Sequence, residues 1–178
     1  MGAIAYEEHY TVEDYRRWEG DWELIHGVAY AMAPSPMVSH QLVSTKIASI
    51  LTQLTDACPA CAAISEIDWE IAHDTVVRPD VLLICKPIDE TINKTPEIIF
   101  EVSSPSTAKR DEILKFDLYA REGVTWYILV YPDKRIAKVY ALNGEGRYIK
   151  QGDFDEETFA FELDKCRIDF DFGKIWRR

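Results

Sequence analysis

Hydrophobic residues recur along the chain with two different periods, and these periods predict the order of helices and strands. Apolar positions between Leu42 and Leu54 follow one another at steps of three and four residues, which predicts an amphipathic helix that starts at Ser39. Elsewhere, short apolar runs bounded by turn residues predict strands. The predicted strands are residues 22–26, 28–32, 62–71, 76–85, 97–103, 125–131, 134–142 and 148–151, with one or two more in the C-terminal tail.

Capping and breaking residues set the ends of these elements. Thr11, with Asp14 three residues later, predicts the start of a short helix. A second short helix is predicted to follow a Ser-Pro-Ser-Thr turn and to end at Gly123. Pro79 interrupts the run 76–85, because proline cannot donate to a strand ladder. The order of elements predicts an α/β (α+β) fold with a central mixed sheet flanked by helices.

Length and composition narrow the class of protein. At 178 residues the chain is expected to form a single domain, residues 1–178. It has neither an apolar run of membrane-spanning length nor an export signal at its start, so we expect a cytoplasmic protein without membrane contact. Its 31 acidic and 20 basic residues give a net charge of −11, and no basic stripe is present. Any contact with nucleic acid must therefore be local or involve metal ions.

The four cysteines offer one possible chemistry. Cys58 and Cys61 have the spacing of a redox dithiol or of half a zinc site. A structural zinc site needs two further ligands, and no second Cys or His pair stands at zinc spacing. We therefore expect a loop with two half-buried thiols, and we expect Cys85 and Cys166 to pack as small hydrophobic residues. A redox protein that uses the first two cysteines is the weaker alternative.

Two acidic residues stand beside or inside strongly apolar strands. Asp80 precedes the apolar run 81–85, and Glu101 lies within the apolar run 98–102. If these strands pair antiparallel across residues 86–96, the two carboxylates lie close together. Adjacent carboxylates repel each other, so the pair predicts a raised pKa or a bound divalent ion, for which oxygen ligands favour Mg²⁺ or Mn²⁺. Taken alone, Asp80 could instead cap a turn.

Lys115 is the third candidate for the same site. Asp111, Lys115 and Tyr119 follow one another at four-residue steps and share one stripe of the predicted helix. An exposed Asp111–Lys115 ion pair would explain this spacing. A functional Lys115 would instead hold its ammonium over the carboxylate pair, where it could orient water or stabilise a pentavalent phosphate. Glu101 taken alone could pair with Lys115 or with Arg78.

Several motifs occur in a fixed order between about residues 10 and 145. They are Thr11…Tyr15, Trp22-Glu23-Leu24-Ile25-His26-Gly27, Ser35…His40, Arg78-Pro79-Asp80-Val81, Phe100-Glu101-Val102-Ser103-Ser104-Pro105-Ser106, and Asp111…Lys115…Tyr119…Gly123-Val124-Thr125-Trp126-Tyr127. Together they resemble the "putative restriction endonuclease" domain family, which is abundant in cyanobacteria and other bacteria. That family belongs to the PD-(D/E)XK nuclease superfamily.

The resemblance implies a restriction-endonuclease-like core and a Mg²⁺- or Mn²⁺-dependent endonuclease that hydrolyses phosphodiester bonds in DNA. It assigns Asp80 and Glu101 as the metal-binding acids and the backbone carbonyl of Val102 as a third ligand. Glu23 matches an acid of the N-terminal motif and would join the metal shell. Cleavage of both DNA strands would favour a homodimer with two-fold symmetry.

The sequence departs from the superfamily pattern at one position. Ser103 stands where the superfamily has a lysine, two residues after the second acid. The resemblance suggests that Lys115 replaces it, as a catalytic residue with Asp80 and Glu101. His40 matches a family position without an assigned role. The displaced lysine and the net charge of −11 motivate an alternative, a catalytically inactive relative that serves as an interaction or nucleic-acid-associated module.

Overall fold

The computed structural model describes residues 6–33 and 37–177. Ser35 of the third motif lies outside the described residues. The helices are α1 (Val12–Tyr15), α2 (Val38–Leu54) and α3 (Lys115–Arg121), with a π-helical turn at Arg110–Leu114 and 3₁₀ turns at Thr55–Ala57 and Phe172–Trp176. The strands are β1 (Trp22–Ile25), β2 (Val28–Ala31), β3 (Ala62–Ser65), β4 (Trp69–Ala72), β5 (Thr75–Val77), β6 (Val81–Ile84), β7 (Ile98–Val102), β8 (Trp126–Tyr131), β9 (Ile136–Leu142), β10 (Tyr148–Phe154), β11 (Thr158–Glu162) and β12 (Arg167–Asp171).

Six strands form the central sheet, in the order β10-β9-β8-β7-β6-β3. Strands β7 and β8 run parallel, and the other four neighbouring pairs are antiparallel. The two faces of the sheet alternate along each strand, so Phe100 packs with Ile47 of α2 while Ile99 packs with Leu118 of α3. The predicted mixed sheet flanked by helices is therefore confirmed.

Two of the predicted strands are each divided between two sheets. The run 62–71 breaks at Glu66, whose φ of 49° lies in the left-handed region, and the run 76–85 breaks at Pro79. Before the first break, β3 pairs with β6 in the central sheet. After it, β4 pairs with β5 in a second sheet of order β2-β1-β5-β4. One long hairpin thus bends from one sheet into the other, and Asp80 lies at the bend.

The predicted helix ends are largely confirmed. The helix predicted to end at Gly123 is not α-helical throughout, because it begins with a π-helical turn before α3. Thr11 and Asp14 form the predicted capping box, and Gly123 ends the last helical turn with a φ of 80°. In that π-helical turn, the N–H of Lys115 donates to the carbonyl of Arg110, five residues earlier, instead of to the carbonyl of Asp111. The Tyr127 hydroxyl donates to the carbonyl of Asp111 at 2.7 Å and so takes the acceptor that an α-helix would use.

The cysteines contradict the expectation from the sequence. Cys58 is disulfide-bonded to Cys166, and Cys61 to Cys85. None of the four is therefore a free thiol or a simple hydrophobic side chain. Local spacing could not predict this, because Cys58 and Cys166 are separated by 108 residues and join the 3₁₀ turn after α2 to the β11–β12 hairpin.

Within the described residues, no helix combines the length and the apolar character that crossing a membrane requires.

Candidate active site

The two predicted acids lie opposite each other at one end of the β6–β7 pair. Val81 is paired with Phe100, so the preceding Asp80 faces the following Glu101 across the ladder. The backbone N–H of Val102 donates to Oδ2 of Asp80 at 2.7 Å, which fixes this carboxylate at the end of β7. The antiparallel pairing proposed from the sequence thus brings the two acids together.

Lys115 is buried against the acids. Its Nζ lies 2.8 Å from Oε1 of Glu101 and 2.7 Å from Oε1 of Glu23, and its side chain is 4% exposed. Glu101 belongs to the central sheet and Glu23 to the second sheet, so one ammonium joins the two sheets. The exposed Asp111–Lys115 pair that the spacing also allowed is excluded, because both side chains are buried.

The remaining contacts of Glu101 leave one of its oxygens available. The Tyr119 hydroxyl donates to Oε1 of Glu101 at 2.8 Å, on the same oxygen that Lys115 contacts. None of the described residues donates a hydrogen bond to Oε2. Glu101 also lines the cavity described below, so its second oxygen can accept a ligand from there.

Glu23 is held by the protein on both of its oxygens. Its Oε1 also accepts the backbone N–H of Arg78 at 2.9 Å, and its Oε2 lies 3.3 Å from the guanidinium of Arg110. Arg110 in turn lies over the ring of Tyr30, 5.1 Å from the centroid. Glu23 therefore reaches the site predicted for it, but it is paired with cations of the protein.

His40 has a partner that the sequence did not reveal. Its Nε2 lies 3.3 Å from Oδ1 of Asp80, whereas its Nδ1 is buried without a hydrogen-bond partner among the described residues. Burial lowers the pKa of His40, but hydrogen bonding and attraction to Asp80 outweigh it and raise the pKa overall. The imidazole is therefore biased towards its charged form beside this acid.

Burial and crowding of like charges shift the other pKa values of the site. Burial raises the pKa of Glu101 well above its ordinary value, although Lys115 opposes the shift. Burial likewise raises the pKa of Asp111 to about 6, against the same ammonium. For Lys115, burial lowers the pKa, but the surrounding carboxylates Glu101, Glu23 and Asp111 outweigh it and raise the pKa overall. The lysine is therefore charged, and excess negative charge surrounds it.

These groups border a cavity of about 530 Å³. Six carboxylates line it against three permanent positive charges. The carboxylates are those of Asp21, Glu23, Glu66, Asp80, Glu101 and Asp111, and the cations are Arg78, Arg110 and Lys115. The turn that precedes the π-helical segment forms another part of its wall. The surplus of carboxylate charge gives the cavity the donor chemistry that hard divalent cations prefer.

The fit to a divalent ion rests on two acids. Asp80 and Glu101 line the cavity, and Oε2 of Glu101 accepts no hydrogen bond from the described residues, whereas Glu23 is paired with Lys115 and Arg110. With the four cysteines in disulfides, the part of the chain that the structure describes contains no three His, Cys, Asp or Glu side chains arranged to bind a metal. The donor set therefore fits an ion held by two carboxylates, with its other positions left to backbone, water or phosphate oxygens.

Sequence reasoning missed several residues of this site. Asp111 was noted as a neighbour of Lys115 on the helix and as part of a family motif, but it was not assigned to the site. Arg110 was not connected with Glu23, from which it is 87 residues away in the chain. The four-residue step from Lys115 to Tyr119 was the one signal that pointed to a shared partner.

Other proteins resemble this chain in sequence or in structure. An uncharacterized protein, slr1290, of Synechocystis sp. is 27% identical over 146 residues, which are 77% of this chain and 76% of that protein. The crystal structure of a putative nuclease belonging to DUF820 from Anabaena variabilis has a TM-score of 0.75 at 15% identity, over 94% of this chain and 97% of that one. A DrdV–DNA complex matches with a TM-score of 0.34, which is too low to carry an argument.

The family assignment rests on the match of a family model. The model of the family Uma2, described as "Putative restriction endonuclease", matches residues 12–163. The match spans α1 to β11, including every residue of the candidate site. The fold agrees with that of the Anabaena variabilis DUF820 structure. The chain belongs to the Uma2 family of putative restriction endonucleases.

Proposed function

We propose that this protein is a divalent-metal-dependent endonuclease that hydrolyses phosphodiester bonds in DNA. One observation carries the proposal: Asp80 and Glu101 meet at the end of β6–β7 beside the buried ammonium of Lys115. Membership of a nuclease family supports it. The same geometry supplies the two acids and the amine that the family resemblance assigns to catalysis.

Two carboxylates would hold the ion, which we propose to be Mg²⁺ or Mn²⁺. Asp80 and the second oxygen of Glu101 are the proposed ligands, with the Val102 carbonyl as a third and Glu23 at the margin of the shell. When bound, such an ion polarises the scissile phosphate and lowers the pKa of the attacking water. The surplus carboxylate charge in the cavity favours its binding.

The protein's own cations have distinct tasks in this proposal. Lys115 is fixed by Glu23 and Glu101, so its ammonium is preorganised to orient water or to stabilise charge on the phosphate. Arg110 lines the cavity and offers a local positive charge to the DNA backbone despite the net charge of −11. His40 positions Asp80 through the contact at 3.3 Å.

An inactive relative remains the second candidate. Two observations favour it: Ser103 occupies the superfamily's lysine position and its hydroxyl is buried without a partner among the described residues, and Lys115 is already neutralised by two carboxylates. Such a protein would keep the fold and associate with a partner or with nucleic acid without turnover.

Plasmid nicking in the presence of Mg²⁺ or Mn²⁺ tests the proposal. We expect nicking by the wild type that chelation abolishes, and a loss of at least 100-fold in the variants Asp80→Asn, Glu101→Gln and Lys115→Met. Conversion of supercoiled plasmid to linear DNA at low extents of nicking would indicate coordinated cutting, as expected of a homodimer.

Asp117→Asn is the matched control, because Asp117 lies on α3 with its side chain 62% exposed and pairs with Arg121. Its nicking rate should equal that of the wild type. Metal binding without cleavage of supercoiled, linear or single-stranded DNA would reject the endonuclease proposal in favour of the inactive relative. Equal nicking by the wild type and Asp80→Asn would reveal a contaminating nuclease.

A further inference from the structure

All four cysteines of the chain meet in one place, although they come from four separate segments. Cys58 follows the 3₁₀ turn after α2, Cys61 precedes β3, Cys85 follows β6, and Cys166 lies in the β11–β12 turn. Cys58 is 3% exposed, and the other three are partly buried against the same hydrophobic core. Two independent disulfides need not lie near each other. The close approach of all four cysteines therefore needs a separate explanation.

Contacts between the two disulfides show how compact the cluster is. Sγ of Cys61 is bonded to Cys85, yet it also lies 3.9 Å from Sγ of Cys166, which belongs to the other disulfide. Four thiolates placed tetrahedrally about one Zn²⁺ at about 2.3 Å are separated from one another by about 3.8 Å. The sulfur contact across the two pairs thus already has the length of a tetrahedral edge.

The backbone between the first two cysteines has the form of a metal-binding turn. The N–H of Cys61 donates to the carbonyl of Cys58 at 2.8 Å, and the N–H of Cys58 donates to the carbonyl of Thr55 at 2.9 Å. These bonds close a tight turn over Pro59 and Ala60, between the two cysteines of a C-x₂-C segment. From the sequence alone, this spacing fits either a redox dithiol or half a zinc site that lacks a second pair of ligands. Cys85 and Cys166, each from a different strand end, supply the missing half.

We propose that these four cysteines form a zinc site, in which the thiolates of Cys58, Cys61, Cys85 and Cys166 bind one Zn²⁺ when the cluster is reduced. As disulfides the sulfurs cannot serve as thiolate ligands. A dithiol reductant supplies two electrons and two protons to each disulfide and is itself oxidised to a disulfide, which yields four thiols. Binding of one Zn²⁺ then releases four protons.

Soft thiolate ligands, their number and their spacing select the metal. Four cysteine sulfurs favour zinc over the hard cations that carboxylates hold at the other site. A sulfur–sulfur separation of 3.9 Å suits a single ion and leaves no room for the inorganic sulfide of an iron–sulfur cluster. The bound ion would tie the β11–β12 hairpin to the edge of the central sheet, where the Cys58–Cys166 bond does so in the oxidised protein.

Metal analysis of the intact protein tests the proposal. The protein is purified with a dithiol reductant, exposed to Zn²⁺, freed of loosely bound ions, and examined by native mass spectrometry. We expect one Zn²⁺ per chain, and we expect Co²⁺ in its place to give the charge-transfer absorption of cobalt thiolates. Removal of the Zn²⁺ by a chelator under reducing conditions should lower the midpoint temperature of thermal unfolding, and added Zn²⁺ should restore it.

Variants separate this site from the carboxylate site. Asp80→Ala should retain one Zn²⁺ per chain, whereas Cys166→Ser and Cys58→Ser should lose tight binding and the cobalt–thiolate absorption. If a serine variant fails to fold, the wild-type stoichiometry and cobalt spectrum still decide. Four reduced thiols with no bound Zn²⁺, an iron–sulfur cluster, or zinc that disappears in Asp80→Ala and persists in both serine variants would each overturn the proposal.

Discussion

The two ends of the β6–β7 strand pair differ in how they are held together. One end contains buried charged side chains, and the other contains a disulfide. At one end, Asp80 and Glu101 bring like charges together, and burial raises the pKa of Glu101 despite the attraction of Lys115. At the other end, Cys85 is joined to Cys61 in an uncharged disulfide, and its backbone N–H donates to Glu97 at 2.7 Å. The first end keeps unbalanced charge that a ligand can use, whereas the second is fastened covalently.

The difference shows where stability and function are separated in this fold. A buried ion pair is weak evidence for net stability, because desolvation of the charges costs about as much as their attraction returns. A disulfide that closes a long loop stabilises the native state mainly by restricting the unfolded chain. The end that carries the Cys61–Cys85 disulfide, here called the covalent end, can therefore offset the electrostatic cost of burying Asp80 and Glu101 together without a bound cation.

Among the changes considered, removal of the buried ammonium of Lys115 should change the free energy of unfolding most. Lys115→Met leaves Glu23 and Glu101 buried without their shared cation, so we expect a loss of about 3–5 kcal/mol in the free energy of unfolding. Urea denaturation at pH 7 measures it. The loss should shrink at acid pH, because a protonated Glu101 no longer needs the ammonium.

Lys109→Met is the control for that variant, because Lys109 is exposed just before the π-helical turn. Its stability should lie within about 0.5 kcal/mol of the wild type. A Lys115→Met protein as stable as Lys109→Met would show that the two carboxylates tolerate burial without it.

The second test compares the two disulfides at the covalent end. In the oxidised protein, loss of the Cys58–Cys166 bond opens a loop of 108 residues and loss of Cys61–Cys85 opens one of 24 residues. The longer loop predicts the larger loss of stability, within a range of about 2–4 kcal/mol and with a difference of about 1 kcal/mol. Paired alanine variants of each bond, unfolded in urea without reductant, measure this difference. An equal or reversed order would show that the native state, rather than loop length, controls their contribution.

The third test uses the raised pKa of Asp111. Its pKa rises from an ordinary 3.8 to about 6 in the folded protein. Between these values the unfolded chain releases the proton while the folded chain keeps it, so this group's contribution to stability decreases as pH rises from about 4 to about 6. Asp111→Asn should remove that decrease and gain on the order of 2 kcal/mol relative to the wild type across this interval.

The measurement is urea unfolding of both proteins in chelator at several pH values from 4 to 7. The difference between the two curves isolates Asp111 from the other carboxyl groups that titrate in the same range. Parallel curves would show that Asp111 ionises normally in the folded chain.

The sequence predicted those parts of the site that depend on local pairing. Asp80 and Glu101 stand at facing ends of strands separated by a short connection, so antiparallel pairing alone brings them together. The four-residue repeat of Lys115 and Tyr119 placed both on one stripe, and both contact Glu101. Pairing rules were sufficient for the two acids, whereas periodicity placed Lys115 and Tyr119 on one stripe without showing that this stripe faces Glu101.

Contacts between distant segments could not be predicted in this way. Glu23 meets Lys115 because a long hairpin bends at Glu66 and Pro79 and carries a second sheet over the site, and no local pattern encodes the direction of that bend. The disulfides could not be predicted for a similar reason, since only the fold brings Cys166 to Cys58 and Cys85 to Cys61.

The π-helical turn at Arg110–Leu114 sets the direction from which the amine reaches the sheet. Each residue added to a helix rotates all later side chains by about 100°. Deletion of one residue from this turn would therefore swing Lys115 off the acids without altering a single residue that touches them. The number of residues in this turn therefore decides whether the lysine of the following helix faces Glu23 and Glu101 or turns away from them.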